Sequence, residues 1–119
     1  MKTEQYKAIY YGLNANYHTL QYISLAWNSS ASKVYEETNI AVSGQLYTTY
    51  FIDQKNMELI SGSLGFGVAG MRNPTKVQDE QAYWESFSTV AIMVRIILGY
   101  PIMLITESDI DFTEESNKS

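Results

Sequence analysis

The stretch from Pro74 to Ile105 constrains the fold most, because it predicts one long helix that runs into one strand. The second half of that helix, residues 87–98, is apolar on nearly every side. A helix that is apolar all round has to be covered on more than one face. A chain of 119 residues has little material for such a cover. We therefore expect a homo-oligomer, a dimer or higher, whose interface residues are Trp84, Phe87, Val90 and Val94.

Both ends of the predicted helix carry local signals, which place it at about residues 75–98. Thr75 and Gln78 have the spacing of a capping box at the N-terminus. Gly99 suits a left-handed stop, and Pro101 blocks continuation of the helix. The apolar residues 102–105 then predict a returning strand, about 101–106, that is buried on both faces.

The first half of the chain predicts further strands separated by short turns. Residues 5–11 and 17–27 are rich in tyrosine and β-branched residues, and we take them as strands, although apolar residues there also recur at helical spacing. Residues 45–52 and 57–68 predict two more strands, joined by a turn at 53–56. We therefore expect a single α+β domain over residues 1–119, with an antiparallel sheet of about four to six strands packed against one long helix. Residues 113–119 are expected to fray.

Composition excludes several classes of site. The chain has no cysteine and one histidine, His18, so thiol catalysis, disulfides and cysteine-ligated metal sites are excluded. No catalytic motif stands out, and we expect a non-enzymatic protein without cofactor or metal. The N-terminus lacks the apolar segment of a signal peptide, and Arg95 interrupts the apolar run at 87–105, so we expect a cytoplasmic protein that does not span a membrane.

The charge of the chain is unevenly distributed. The net charge is −5, yet residues 1–76 carry six basic and five acidic side chains, whereas residues 77–119 carry two and eight. An acidic field of this kind repels nucleic acid and attracts basic proteins. Our first hypothesis is therefore a small acidic inhibitor or adaptor that neutralises a basic protein partner, by analogy with immunity and anti-defence proteins. Its predicted partner-binding residues are Glu107, Asp109, Asp111, Glu114 and Glu115.

A glycine-rich segment supplies the alternative hypothesis. Residues 65–70, Gly-Phe-Gly-Val-Ala-Gly, match the spacing of a dinucleotide-binding loop. The match is weak as a fingerprint, because Met71, Arg72 and Asn73 separate it from Pro74, where the helical stretch begins, and no acidic residue ends a second parallel strand about twenty positions later. A simpler version is an oligomeric protein that binds a small nucleotide-like anion through Gly65, Gly67, Gly70 and Arg72. The structural alternative is a strand in which glycine allows close approach of another segment.

Overall fold

The computed structural model describes residues 1–13, 17–51 and 63–113, and within them it shows an α+β fold. The elements follow the order β-α-β-β-α-β. They are β1 (Lys2–Tyr11), α1 (Leu20–Thr38), β2 (Gln45–Phe51), β3 (Ser63–Met71), α2 (Glu80–Ile97) and β4 (Ile102–Asp111). The four strands form one antiparallel sheet in the order β2-β3-β1-β4. This element order is that of the ferredoxin-like fold.

Both helices pack together and cover one face of the sheet. Tyr6, Ala8 and Tyr10 of β1 point toward the helices and are fully buried. They meet buried side chains of the two helices, which include Ile23, Trp27, Phe87, Val90 and Val94. The Tyr10 hydroxyl donates a hydrogen bond of 2.8 Å to the Ala91 carbonyl, which ties the centre of β1 to α2. The predicted α+β class, with a long helix across an antiparallel sheet, is thus confirmed.

The N-terminal half differs from the prediction, since residues 20–38 form a helix. The Thr19 side chain accepts a hydrogen bond of 3.1 Å from the Tyr22 N–H, and Asn39 ends the helix in a left-handed conformation. The helical spacing of Ile23 and Trp27 therefore outweighs the strand preference of the tyrosines, because those positions pack against α2 and the sheet. The strand predicted at 5–11 is confirmed within β1. The turn at 53–56 and the first part of the strand predicted at 57–68 lie outside the described residues.

The start of α2 lies later than the capping-box pattern predicted. Asp79 is the N-cap, and its carboxylate accepts hydrogen bonds from the N–H groups of Gln81 and Ala82. Thr75 instead donates to the Asn73 side chain in the preceding turn. The predicted C-terminal stop is confirmed, because Gly99 adopts a positive φ of 84° two residues after the last helical residue.

The prediction of a strand buried on both faces at 101–106 is wrong. β4 is an edge strand that pairs only with β1 among the described strands. Ile102 and Leu104 are each 37% exposed, whereas Met103 and Ile105 pack against the core. A continuous apolar run does not distinguish an interior strand from an edge strand whose outer side chains stay partly uncovered.

Candidate functional site

The candidate site lies where the first half of β1 and the second half of β4 pass under the N-terminus of α2. Tyr6 pairs with Glu107 across the β1–β4 ladder, and Glu4 pairs with Asp109. Directly opposed residues of antiparallel strands point to the same face of a sheet. Because Tyr6 packs against α2, Glu107 and Asp109 also point to the helix-covered side of the sheet. The fold thus brings carboxylates to the edge of an aromatic cluster.

Tyr6 is the centre of this cluster. Its ring centroid lies 5.7 Å from that of Tyr83, 5.3 Å from that of Trp84 and 5.4 Å from that of Phe87. A side chain on residue 70, opposite Tyr6 on β3, would clash with the Phe87 ring, so glycine at that position allows Phe87 to reach Tyr6. Three aromatic side chains of one helix therefore pack around one tyrosine of the sheet.

Two buried hydroxyl groups in this cluster have no hydrogen-bond partner among the described residues. They are the hydroxyls of Tyr6 and Tyr83, and both residues are almost fully buried. Burial, followed by the negative charges of Glu107, Glu4 and Glu80, raises the pKa of Tyr6 well above its ordinary value. Burial also raises the pKa of Tyr83 to about 12. Both hydroxyls remain protonated at neutral pH, and a buried donor of this kind is costly unless something accepts its hydrogen bond.

A buried ion pair lies on one side of the site. The Arg72 guanidinium donates two hydrogen bonds of 2.7 Å to the Glu4 carboxylate, one from Nε and one from Nη2. Its Nη1 donates to the Val77 carbonyl at 2.9 Å and to the Gln78 carbonyl at 3.4 Å. The hydrogen bond with Glu4 raises the pKa of Arg72, so this side chain is permanently charged. The ion pair links β1 to the segment that leads into α2.

Two further carboxyl groups meet on the other side of the site. Glu80 is the first residue of α2, and Glu107 lies on β4. Partial loss of hydration raises the pKa of Glu107, and the negative charges of Glu80, Glu4 and Asp109 and a side-chain hydrogen bond with Glu80 add to this effect. Glu107 therefore keeps its proton to a higher pH than an isolated glutamate does.

The site as a whole is negative and aromatic. Four carboxyl groups, those of Glu4, Glu80, Glu107 and Asp109, accompany the single positive charge of Arg72. Aromatic faces and carboxylates both attract an organic cation. Among the described residues no group of three or more histidine, aspartate or glutamate side chains is arranged to hold a metal ion. The arrangement therefore favours a positively charged organic ligand over an anion.

A concavity of about 470 Å³ lies between α1, residues 41–44 and the sheet. Two of its polar groups have partners inside the protein. The Trp27 indole N–H donates to the Val42 carbonyl at 3.1 Å, and the Ser32 hydroxyl donates to the Asn28 carbonyl at 2.8 Å. This groove thus lacks the buried hydroxyls in need of an acceptor that mark the Tyr6 site, and we regard the Tyr6 site as the functional one.

The glycines predicted for anion binding have packing roles in the structure. Gly65 and Gly67 lie within β3, where the rings of Tyr11 and Tyr47 from the neighbouring strands pack over them. Their role is the structural one, since a side chain at either position would overlap those rings. Arg72 does lie near the candidate site, but Glu4 neutralises its charge.

The predicted partner-binding acids are divided among different environments. Glu107 and Asp109 belong to the candidate site, whereas Asp111 forms an exposed ion pair of 2.8 Å with Lys2. The side chains of Glu107, Asp109 and Asp111 point to the helix-covered side of the sheet, because they lie opposite Tyr6, Glu4 and Lys2 of β1. Glu114 and Glu115 lie outside the described residues.

The interface predicted on α2 needs correction too. Phe87, Val90 and Val94 have no exposed surface in the single chain, because they form the core between α2, α1 and the sheet. Trp84 is partly buried and packs on Tyr6. The exposed apolar side chains of this helix are instead Ile92, Ile96 and Ile97. Arg95 is half-buried, and its Nε donates to the Pro101 carbonyl at 2.8 Å.

Sequence reasoning missed Glu4, Tyr6, Glu80 and Tyr83 as members of a site. One signal was only partly present, since the strand predicted at 5–11 includes Tyr6 but begins one residue after Glu4, which shares a face with Tyr6 in β1. His18, the only histidine of the sequence, lies away from this cluster in ring contact with Tyr22.

Comparison with known proteins assigns the chain to a family. The model of the SAM lyase family matches residues 1–114, which is nearly the whole sequence. The chain therefore belongs to the SAM lyase family. This membership overturns the expectation of a non-enzymatic acidic inhibitor of the immunity or anti-defence type. The finding that overturns it is the family match, which covers Glu107 and the rest of β4.

Other comparisons give distant similarities. The chain resembles a hydantoinase/carbamoylase family amidase from Burkholderia ambifaria, with a TM-score of 0.40 and 9% identity. It also resembles an amidase of the hydantoinase/carbamoylase family from Burkholderia multivorans, with a TM-score of 0.32 and 10% identity. Each match covers 92% of this chain and 27% of the amidase, so the chain spans about a quarter of those proteins. A search of curated proteins finds no match.

In the part of the chain that the structure describes, neither helix has the length and apolar character needed to cross a membrane.

Proposed function

We propose that this protein is a lyase that cleaves S-adenosylmethionine (SAM) in the site formed by Tyr6, Glu80 and Glu107. The observation that carries the proposal is the match of residues 1–114 to the SAM lyase family. The negative, aromatic character of the site supports it, because the sulfur of SAM is a sulfonium cation. A sulfonium group is attracted by carboxylates and by the faces of aromatic rings.

Cleavage by a lyase has a simple charge balance. The carbon–sulfur bond breaks, its electron pair goes to sulfur, and the sulfonium becomes a neutral thioether. The carbon fragment either loses a proton or closes on one of its own nucleophilic groups, and no water is added. Because a charge disappears in the reaction, an aromatic surrounding that excludes water favours the transition state over the charged substrate. The ring contacts of Tyr6 with Tyr83, Trp84 and Phe87 provide that surrounding.

We assign different roles to the individual side chains. The carboxylates of Glu80 and Glu107 attract the sulfonium, and we assign proton transfer to Glu107, whose pKa is raised. The Tyr6 hydroxyl donates a hydrogen bond to an oxygen or nitrogen of the substrate, which satisfies a donor that has no acceptor within the described part of the protein. SAM cleavage would take place in the cytoplasm, where SAM is made and used.

The activity is tested by incubating the purified protein with SAM and following its consumption by liquid chromatography and mass spectrometry. We expect SAM to be consumed, and S-adenosylhomocysteine, the neutral thioether analogue, to remain intact. In water enriched in ¹⁸O, the earliest products of a lyase contain no ¹⁸O. Persistence of SAM with wild-type protein, or ¹⁸O in the earliest products, would rule out the proposed lyase reaction.

A pair of variants on one strand tests the assignment of the site. Glu107→Gln removes the ionisable group beside Tyr6, and we expect kcat/KM to fall about 100-fold, the range found for an acid–base group. Asp111→Asn is the matched control, because Asp111 lies on the same strand and points to the same side but pairs with Lys2 at the exposed edge. Its kcat/KM is expected to stay within about twofold of wild type. Equal activity of the two variants would place the site elsewhere.

We also propose that the chain forms a homo-oligomer, although through other residues than those first predicted. Ile92, Ile96 and Ile97 of α2 are 49%, 51% and 45% exposed. Ile102 and Leu104 on β4 add partly exposed apolar surface. Exposed apolar side chains grouped on one helix are typical of contacts between subunits.

A further inference from the structure

We infer that Arg72 is a positioning residue, which fixes the start of α2 over β1 and thereby holds Glu80 against Glu107. This inference deepens the proposed function, and it rests on the Tyr6 site being the place of reaction. It concerns a residue that touches neither carboxyl group of the Glu80–Glu107 pair in any contact described above. Its effect on the pair passes through the segment between β3 and α2.

The backbone of Arg72 is tied to β1 by two hydrogen bonds. Arg72 follows directly after β3, and its N–H donates to the Glu4 carbonyl at 3.1 Å. Its own carbonyl accepts a hydrogen bond of 2.7 Å from the buried Thr3 hydroxyl. The start of the connection to α2 is therefore held in place on the sheet.

The side chain of Arg72 extends this attachment to the end of the connection. Its guanidinium contacts the Glu4 carboxylate through two nitrogens and the carbonyls of Val77 and Gln78 through the third. Asp79, the N-cap of α2, and Glu80, its first residue, follow immediately. One side chain thus joins β1 to the last residues before the helix. The position of Glu80 above the sheet depends on where those two carbonyls are held.

The charge distribution explains why such an attachment is needed. Glu80 faces Glu107, Glu4 and Asp109 lie close by, and four carboxyl groups repel one another when ionised. Glu80 and Glu107 are both exposed to solvent, so burial does not fix the Glu80 side chain beside β4. The attachment itself is buried, since Arg72 is 7% and Glu4 is 5% exposed. A buried ion pair is costly to desolvate and is weak evidence for a gain in stability, so its geometric role is the better explanation.

Lysine cannot replace this geometry. The guanidinium is planar and presents its donors in fixed directions, which suits a bidentate contact with a carboxylate and a third contact with carbonyl groups. A lysine ammonium keeps the positive charge but is a single point, and it cannot hold Glu4 and both carbonyls at once. Arg72→Lys therefore separates the positioning role from the charge.

The test measures the pKa of Glu107 directly, by ¹³C NMR of the side-chain carboxyl carbon during a pH titration. In wild type, partial loss of hydration raises the pKa of Glu107 most, and the charges of Glu80, Glu4 and Asp109 raise it further. If Arg72→Lys releases Glu80, the pKa of Glu107 falls toward its ordinary value. The acidic limb of the pH profile of kcat for SAM cleavage should shift in the same direction, with kcat about 10-fold lower and KM changed less.

Thr3→Val is the matched control, because it removes a buried hydrogen bond to the same residue while leaving the guanidinium contacts intact. We expect this variant to lower the melting temperature without moving the pKa of Glu107 or the pH profile. Should Arg72→Lys fail to fold, Glu4→Asp serves instead, since a shorter carboxylate keeps the charge but cannot reach both guanidinium nitrogens.

The outcomes separate the two proposals. A folded Arg72→Lys protein with an unchanged pKa of Glu107 and an unchanged pH profile would overturn the positioning role. A lowered pKa of Glu107 in a protein whose wild type leaves SAM intact would support the positioning role and reject the proposed reaction. A shift of the pKa by Thr3→Val as large as that by Arg72→Lys would show a general structural effect, which also overturns the inference.

Discussion

At the scale of single residues, the two central tyrosines of β1 are in contrasting situations. Tyr6 and Tyr10 are both fully buried, point to the same side of the sheet and pack against α2. The Tyr10 hydroxyl has the Ala91 carbonyl as its acceptor, whereas the Tyr6 hydroxyl has no acceptor among the described residues. A buried hydroxyl without a hydrogen-bond acceptor lowers the stability of the fold. Losses of stability of this kind are typical of functional sites.

The contrast predicts opposite results for two identical substitutions. Tyr6→Phe removes a hydroxyl that makes no internal hydrogen bond, so the free energy of unfolding should stay unchanged or rise by up to about 1 kcal/mol. SAM cleavage should nevertheless fall about 10-fold or more, because the substrate loses a donor. Thermal unfolding and the SAM assay measure the two effects on the same samples.

Tyr10→Phe is the control for this experiment. It leaves the Ala91 carbonyl without its side-chain donor, and we expect it to lower the free energy of unfolding by about 1 kcal/mol while activity is retained. A Tyr6→Phe protein that is less stable than Tyr10→Phe would mean that the Tyr6 hydroxyl has a structural partner, and the site assignment would lose its main geometric support.

At the scale of elements, the sequence predicted strands and helices best where local and tertiary preferences agree. The second half of α2 is apolar, ends at Gly99 and packs on the sheet, so it was predicted correctly. The strand predicted at 17–27 overlaps the first part of α1 because tyrosines favour a strand there, although Thr19 is an N-cap of a common type. Packing of Ile23 and Trp27 against α2 decides the matter, and packing over such a distance in sequence is not visible in a local pattern.

The same limit applies to the candidate site. That Glu4 and Tyr6 share a face follows from the two-residue period of a strand. Their proximity to Glu107 follows from the pairing of β1 with β4, and their proximity to Glu80 from the way α2 crosses the sheet. Neither relation can be derived from spacing in the sequence, because several strand orders are compatible with the same elements.

The position of the α2 N-terminus leads to a prediction at this scale. Asp79→Ala removes the acceptor for the N–H groups of Gln81 and Ala82, so it should lower the free energy of unfolding by about 1 kcal/mol. Thr75→Ala should cost less, because Thr75 lies in the exposed turn before the helix and bonds to Asn73. Chemical denaturation of both variants measures the difference. If Thr75→Ala proved the more damaging change, the helix would begin at the earlier capping pattern.

At the scale of the whole molecule, the apolar character of α2 predicted that more than one of its sides is covered. The side predicted to contact another subunit is instead the side that packs inside the chain. The positions chosen for an interface, Phe87, Val90 and Val94, lie in the core because α1, which was not predicted, covers them. The apolar residues that remain at the surface are those on the opposite side of the helix. Contacts on two sides thus account for the apolar character of α2. One side packs against the core of the same chain, and we propose that the other contacts a second subunit.

The proposed oligomer is tested with a charge placed on that outer side. Ile96→Glu changes a residue that is 51% exposed, so the fold of the single chain should be preserved, while burial of an unpaired carboxylate in an interface is strongly unfavourable. Native mass spectrometry should show an oligomer for wild type and a monomer for the variant.

Leu25→Glu is the control, since Leu25 is 63% exposed on α1 and lies outside the proposed surface. A monomeric wild type would reject the interface, and an Ile96→Glu protein that stays oligomeric would place it on another face. If the monomeric variant also loses SAM cleavage while Leu25→Glu keeps it, residues of a second subunit are needed to complete the site around Tyr6.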